Sequence, residues 1–187
     1  MSKEKTIIGW NEWVKLPQIG LPLIKAKSDT GARTSALHAF DIQTFTNKGA
    51  PWVRFHIHPL QGNNQFTIAC EAPVIDRRTV TDSGGRGEKR LVIETFATIG
   101  EMTRAIEITL TNREKMVFRM LLGRQAMERF GFVVSPAQTT LLDKTRPSQA
   151  RALYEKAKVK KPIPHTQKPA AKEEKPAPKK PAEGAKQ

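Results

Sequence analysis

The chain has 187 residues, enough for one domain with a real core, and carries a net charge of +14. Its single cysteine, Cys70, excludes an internal disulfide and suits a reducing compartment. The first residues hold no apolar run of signal-peptide length and nothing later is apolar enough to span a bilayer, so a cytoplasmic protein without membrane contact is expected.

Alternating apolar residues predict a first strand over residues 8–16, stopped by Pro17 and the Gly20-Leu21-Pro22 turn. A second strand, 23–28, delivers the carboxylate of Asp29 onto a tight loop, Asp29-Thr30-Gly31-Ala32, where Gly31 can take backbone angles closed to larger residues. Residues 35–42 carry the chain away, 47–51 turn it, 52–60 alternate cleanly, and 61–64 return it into 65–71. Two further strand-like arms, 73–81 and 88–95, are joined by Asp82-Ser83-Gly84-Gly85-Arg86-Gly87, a glycine-rich hairpin tip. Residues 95–110 alternate around a turn at Gly100. The run Phe118-Arg119-Met120-Leu121-Leu122-Gly123-Arg124 is an apolar strand entering a glycine, and is expected to be buried. A short helix over 125–130 ends at Gly131, and strands over 132–136 and 139–142 complete the body. Many short strands with one short helix predict an all-β fold, a barrel or a sandwich. There is also an internal echo: the turn and strand around Gly20 resemble those around Gly100, with Thr111-Asn112 falling where Asp29-Thr30 falls in the first copy.

Charge is unevenly spread. Residues 146–187 hold 12 Lys or Arg against 4 Glu, a net +8 that leaves +6 for the rest, and 7 of the 13 prolines. Residues 147–158 have the composition of a short helix. Beyond them the Lys/Pro/Ala-rich sequence has almost nothing apolar to bury and is expected to be disordered, attracting nucleic acid only non-specifically. The expected organisation is an N-terminal arm over 1–5, a body over 6–145 and a basic tail over 146–187.

The Asp29-Thr30-Gly31-Ala32 loop, the glycine-tipped hairpin, Leu121-Leu122-Gly123-Arg124 with its following helix, and Phe132-Val133 stand in the order found in retropepsin-like aspartic proteases. Residues 8–142 resemble more closely still a bacterial family of retropepsin-like aspartic endopeptidases. It is often labelled "ATP-dependent zinc protease" and is associated with RimK-type ATP-grasp amino-acid ligases. The stretches carrying this likeness are residues 25–39, Cys70 to Arg78, Thr81-Asp82-Ser83-Gly84-Gly85, and Leu121 to Arg124. The resemblance covers nearly all the body and none of the tail. It implies a closed retropepsin-like β-barrel with one short C-terminal helix, and a peptidase acting on a peptide or protein substrate.

The implied chemistry follows from one physical fact: two carboxylates a hydrogen bond apart cannot both ionise, so one keeps a proton while the other activates water. One chain offers one such loop, so the resemblance implies a homodimer that pairs Asp29 with its symmetry mate, as general base and general acid. Thr30 would lock the two loops together and Gly31 would admit the substrate backbone. Ala32 and Arg33 would line the cleft, while Leu122, Gly123 and Arg124 would support it. Asp82, Ser83, Gly84 and Gly85 would form a flap closing over the substrate. From the residues alone, Asp82-Ser83-Gly84 could also supply the second acid of a single-chain enzyme, though no apolar-apolar-Gly strand follows it at a suitable distance, or be a plain surface hairpin. Taken alone, Asp-Thr-Gly is also simply an Asx-type turn.

Viral retropepsins carry acidic residues after Asp-Thr-Gly-Ala that pair with the arginine of the apolar-Gly-Arg strand. Arg33 and Thr34 stand there instead, so Arg124 needs another partner and the cleft should be more positive. An acidic substrate, such as a glutamate-rich peptide or a glutamyl-modified tail, would suit it, although Arg33 in an ordinary ion pair would explain the residue equally well. No cofactor is expected. His56, His58 and Cys70 form the best candidate zinc set, without any metal-binding spacing motif, and the glycines at 84–87 lack the Gly-Lys-Ser/Thr ending of a phosphate loop. The alternatives are a zinc-dependent peptidase, and a non-catalytic module that binds an acidic protein or RNA.

Overall fold

A computed structural model of the chain describes residues 5–81 and 84–157. Asp82 and Ser83, expected at the hairpin tip, lie outside them, as do residues 1–4 and the low-complexity sequence past residue 157.

The predicted first strand is two, β1 (Thr6–Gly9) and β2 (Asn11–Leu16), broken at Trp10. A single turn of 3-10 helix, Pro17–Ile19, leads into β3 (Leu21–Asp29), and then come β4 (Ser35–His38), β5 (Phe40–Asn47) and β6 (Ala50–Ile57). Two separately expected strands fuse into one, β7 (Ile68–Thr81), which pairs with β8 (Gly87–Ile99). The break expected at Ala72 is absent, since Ala72 and Pro73 pair in register with Val53 and Trp52; the ladder to β8 shifts further on, between Val74 and Asp76. The chain continues as β9 (Met102–Thr111), β10 (Met120–Gly123), α1 (Arg124–Phe130), β11 (Phe132–Ser135) and α2 (Pro147–Ala157). Residues 139–142, expected as a strand, are not one. Their amides go instead to Glu12 and to the Asn11 carbonyl, which satisfies backbone donors without a ladder.

The expected all-β architecture is present. Nine strands run in the order β2-β3-β10-β4-β9-β8-β7-β6-β5, and one further pair, Lys15 with Thr98, joins β2 to β8. Six strands thereby run round on themselves, while β7, β6 and β5 extend outward as an open wing. The centre of this sheet is palindromic. β3 runs parallel to β10, β10 antiparallel to β4, and β4 parallel to β9, with the antiparallel hairpins β2–β3 and β8–β9 on either side. The echo read in the sequence therefore has a structural counterpart, two hairpin strands related across the β10–β4 pair.

One apolar core serves sheet and wing alike, with Val14, Ile24, Leu37, Phe55, Ile93, Ile108 and Leu122 essentially buried. Burying each such side chain contributes about 1.5–3 kcal/mol against the entropy lost on ordering it. The helix expected at 147–158 appears as α2 and packs on β3. Tyr154 is fully buried there, its hydroxyl donating to the Leu23 carbonyl at 2.6 Å, and Ala150 joins Trp13 and Leu23 in a second small cluster. Burial pushes the Tyr154 phenol well above its ordinary pKa, so it stays a neutral donor. No helix among the described residues is long and apolar enough to cross a membrane.

Candidate active site

The site lies where β3 and β10 end together, with Asp29 beside Gly123 in the parallel register. β10 threads between β3 and β4, so the loop linking those two strands must pass over its exit. Gly123 permits this. A Cβ built on it would stand 2.5 Å from the Thr34 carbonyl carbon and 2.8 Å from the Ser35 nitrogen, a clash with backbone that no rotamer relieves. The loop is then stitched to the strand and helix below it. Arg124 and Gln125 donate their backbone amides to the carbonyls of Ala32 and Arg33, at 2.9 and 3.0 Å. The Gly123 amide reaches the hydroxyl of buried Ser35 at 3.1 Å.

Within the loop, one oxygen of Asp29 is committed. Its Oδ1 accepts from the amides of Gly31 and Ala32, each at 3.0 Å, which is the Asx-type turn that the triplet alone would make. Its Oδ2 has no hydrogen-bond partner among the described residues. Thr30 and Gly31 are exposed at the loop's crest, and so is Arg33. Arg124, whose partner the sequence left open, turns back on the loop it follows. Its Nη1 donates to the carbonyls of Thr30 and Gly31, at 2.9 and 3.1 Å. A basic side chain thus does here, through backbone carbonyls, what an ion pair would otherwise do. The hydroxyl of Thr34 meets Oε1 of Gln125 at 3.2 Å and adds a further tie.

The predicted site residues separate cleanly. Asp29, Thr30, Gly31, Ala32 and Arg33 share one loop, and Leu122, Gly123 and Arg124 stand directly beneath it. Gly84 and Gly85 lie at the turn between β7 and β8, Gly85 with φ of +79°; their expected companions Asp82 and Ser83 are outside the described residues. Arg33 forms no ion pair among the described residues, so the in-chain partner considered for it is not found there.

The zinc set is not assembled. Cys70 pairs with Phe55 on the antiparallel neighbour and shares its face, which is opposite to that of His56. Burial also pushes the Cys70 thiol far up, the wrong direction for a thiolate ligand. His56 and His58 instead flank the Phe40 ring, with ring centres 5.7 and 4.5 Å away. Among the described residues no three or more His, Cys, Asp or Glu side chains gather into a group able to hold a metal ion.

Sequence reasoning missed the residues that shape the surroundings. Glu12 is buried and accepts the amides of Gly9, Leu141 and Leu142 at 2.7, 2.8 and 3.3 Å, tying the first strands to the segment after β11. Ser28 donates its hydroxyl to the Gly9 carbonyl at 2.9 Å and its amide to the Trp10 carbonyl at 2.9 Å. Trp10 in turn meets Phe118 edge-on at 5.6 Å. Arg113 and Arg119 occupy the turn that precedes β10. The signal for Glu12, an acid inside an apolar strand, was present in the sequence. For Arg113 there was none, because a charged residue in a turn reads as solvent-facing; Arg119 stood in the run expected to be buried, and it is buried.

Comparison with known proteins identifies the family. The RimB-like family model, described as "Retropepsin-like aspartic endopeptidase RimB", matches residues 7–145. A protein of Shewanella pealeana named "Probable alpha-L-glutamate ligase" is 43% identical over 154 residues, covering 82% of this chain and 33% of its own. One of the same name from Parasynechococcus marenigrum is 45% identical over 150 residues, 80% of this chain and 32% of its own. The chain thus spans about a third of the length of these curated relatives. The crystal structure of Lpg0085 from Legionella pneumophila, a protein of unknown function, is similar with a TM-score of 0.63 at 29% identity, covering 75% of this chain and all of that one. With the family model spanning the whole β body, from β1 to the segment before α2, the chain belongs to the RimB-like family of retropepsin-like proteins.

Proposed function

We propose that the protein is an aspartic endopeptidase that acts as a homodimer, with Asp29 of each copy forming the catalytic pair. The observation carrying this reading is the asymmetry of the half-buried Asp29 carboxylate: Oδ1 is fixed by two loop amides, while Oδ2 has no hydrogen-bond partner among the described residues, next to the exposed Thr30 and Gly31. An acid oriented by one oxygen and open at the other is suited to share a proton with a second carboxylate. The pair then holds one negative charge, the ionised member takes a proton from water, and the protonated member donates to the scissile carbonyl oxygen. Thr30 and Gly31 are exposed, which leaves them open to a symmetry mate. On the small parallel sheet of β1 and β11, Ile7 and Val133 are paired and both exposed, a further apolar area for a second copy.

The substrate proposed is acidic. The body carries a net positive charge, and Arg33 faces outward beside the loop. Relatives that contain a match to this domain within a longer chain are named as glutamate ligases, which agrees with a functional link to an ATP-grasp ligase and a glutamyl-bearing peptide as substrate.

The test is cleavage of an unbiased peptide library by wild type and Asp29→Asn, each with and without a zinc chelator. The proposal expects cleavage at acidic positions that Asp29→Asn abolishes and the chelator leaves intact. Activity lost to the chelator would favour a metallopeptidase. Binding of acidic peptides without any cleavage would favour a non-catalytic module.

A further inference from the structure

Arg113 stands in the turn between β9 and β10, held on three sides. Its amide donates to His38 Nδ1 at 3.0 Å, its carbonyl accepts from Arg119 Nη1 at 2.7 Å, and its own Nε donates to the Phe118 carbonyl at 3.2 Å. Phe118 rests on Trp10, whose carbonyl receives the amide of Ser28, the residue before Asp29. This chain of contacts runs from the turn to the residue before Asp29, and the Asp29 carboxylate is near enough to act electrostatically on the Arg113 guanidinium. The guanidinium is partly buried, and burial lowers its pKa, as do the charges of Arg90 and Arg119, while the Asp29 carboxylate opposes them.

What Arg113 lacks is an anion. Among the described residues no carboxylate stands within salt-bridge distance of it, and its Nη1 and Nη2 donate to nothing. The neighbouring cations are differently placed. Arg90 pairs with Glu88 at 2.6 Å, Arg124 is spent on loop carbonyls, and Arg119 donates to the Arg113 and Glu114 carbonyls and to Asn64. A partly desolvated guanidinium with no carboxylate at salt-bridge distance is unfavourable, and a bound carboxylate relieves it. With Nε occupied, the two terminal nitrogens remain as a fork that matches the two oxygens of one carboxylate.

We propose that Arg113 is the residue that reads an acidic side chain of the substrate, its Nη1 and Nη2 receiving that side chain's carboxylate close to the cleaved bond; this rests on the reading of Asp29 as the catalytic acid. Glutamine in the same position offers one acceptor and no charge, so a glutamate should be favoured over it roughly ten- to hundredfold. Exposed Arg33, the candidate that sequence alone suggests, then contributes only general attraction.

Binding separates this proposal from the catalytic one. In the full-length Asp29→Asn protein, which cannot consume its ligand under that reading, the dissociation constants of capped hexaglutamate and hexaglutamine peptides are measured by calorimetry. They are measured again after adding Arg113→Gln, Arg113→Lys or Arg33→Gln. The expected result is a preference for hexaglutamate of tenfold or more, reduced below threefold by Arg113→Gln, intermediate with Arg113→Lys and retained with Arg33→Gln. No preference in the Asp29→Asn protein, a preference untouched by both Arg113 substitutions, or one abolished by Arg33→Gln would each overturn the proposal. Should Arg113→Gln fail to fold, the lysine and Arg33 variants still decide. Cleavage retained by Asp29→Asn would overturn the catalytic reading instead, and is scored in a separate assay.

Discussion

Arg124 donates from Nη1 to the carbonyl of Gly31 at 3.1 Å, so the residue that opens α1 holds the loop that carries Asp29. The Asp-Thr-Gly loop and the apolar-Gly-Arg strand, 94 residues apart at their Thr30–Arg124 contact, are therefore one construction.

Arg124→Ala removes two exposed hydrogen bonds, worth about 1 kcal/mol to the fold. Its effect on the site should be larger, because those bonds fix the two peptide units on either side of Gly31. The expected outcome is a drop in kcat/KM of roughly tenfold or more with a melting temperature lowered by only a few degrees. Peptide cleavage kinetics beside calorimetry on the same preparation check it, and an unchanged kcat/KM would refute it.

Gly123→Ala tests the crossing of loop over strand. The added methyl meets the Thr34–Ser35 backbone at 2.5–2.8 Å, too close to be accommodated without moving the loop. Destabilisation by about 2–4 kcal/mol is expected, measured by urea unfolding. A variant as stable as wild type would mean that β10 and the loop are not so closely packed.

Glu12 makes a sharper case. Glu12→Ala strands the amides of Gly9, Leu141 and Leu142 inside the protein and should cost about 3 kcal/mol or more. Glu12→Gln keeps one acceptor oxygen and should cost distinctly less. Equal urea midpoints for the two variants would show that the carboxylate is not the tie described.

His38 gives a pH dependence with a definite sign. Burial first, then the charges of Arg119, His58 and Arg113, lower its pKa from 6.5 to about 4. The unfolded chain therefore binds this proton more readily than the folded one between those values. Stability should be flat above about pH 6.5 and fall on acidification through the window, by up to about 1.4 kcal/mol per pH unit, until His38 itself protonates near pH 4. His58, also lowered chiefly by burial, acts in the same direction. Unfolding midpoints across this range should slope less in His38→Gln than in wild type.

Much of this was legible in the sequence. Period-two alternation marked most strands, and the pairing of an acid-bearing loop with an apolar-apolar-Gly strand pointed to the candidate site. The chain breaks at Trp10 and Ala39 were not legible, because neither is marked by a proline or a paired turn signal. Nor was the continuity of β7, because Pro73 reads as a strand boundary, whereas here it pairs opposite Trp52 within the ladder. Segment 139–142 looked like a strand because its residues are β-formers, yet its amides are taken by Glu12, a tertiary partner about 130 positions away. Arg113 was invisible for a similar reason: whether a turn arginine is satisfied depends on carboxylates that only the fold can bring near it.

The pairing of two Asp29 carboxylates is tested most directly by mixing. Wild type and Asp29→Asn are combined at fixed total concentration, allowed to exchange subunits, and assayed for cleavage of an acidic peptide. If both carboxylates are required, activity falls with the square of the wild-type fraction, so an equal mixture keeps about a quarter of the full rate. A linear fall, with half the rate retained, would mean that each chain works alone and would contradict the dimeric mechanism.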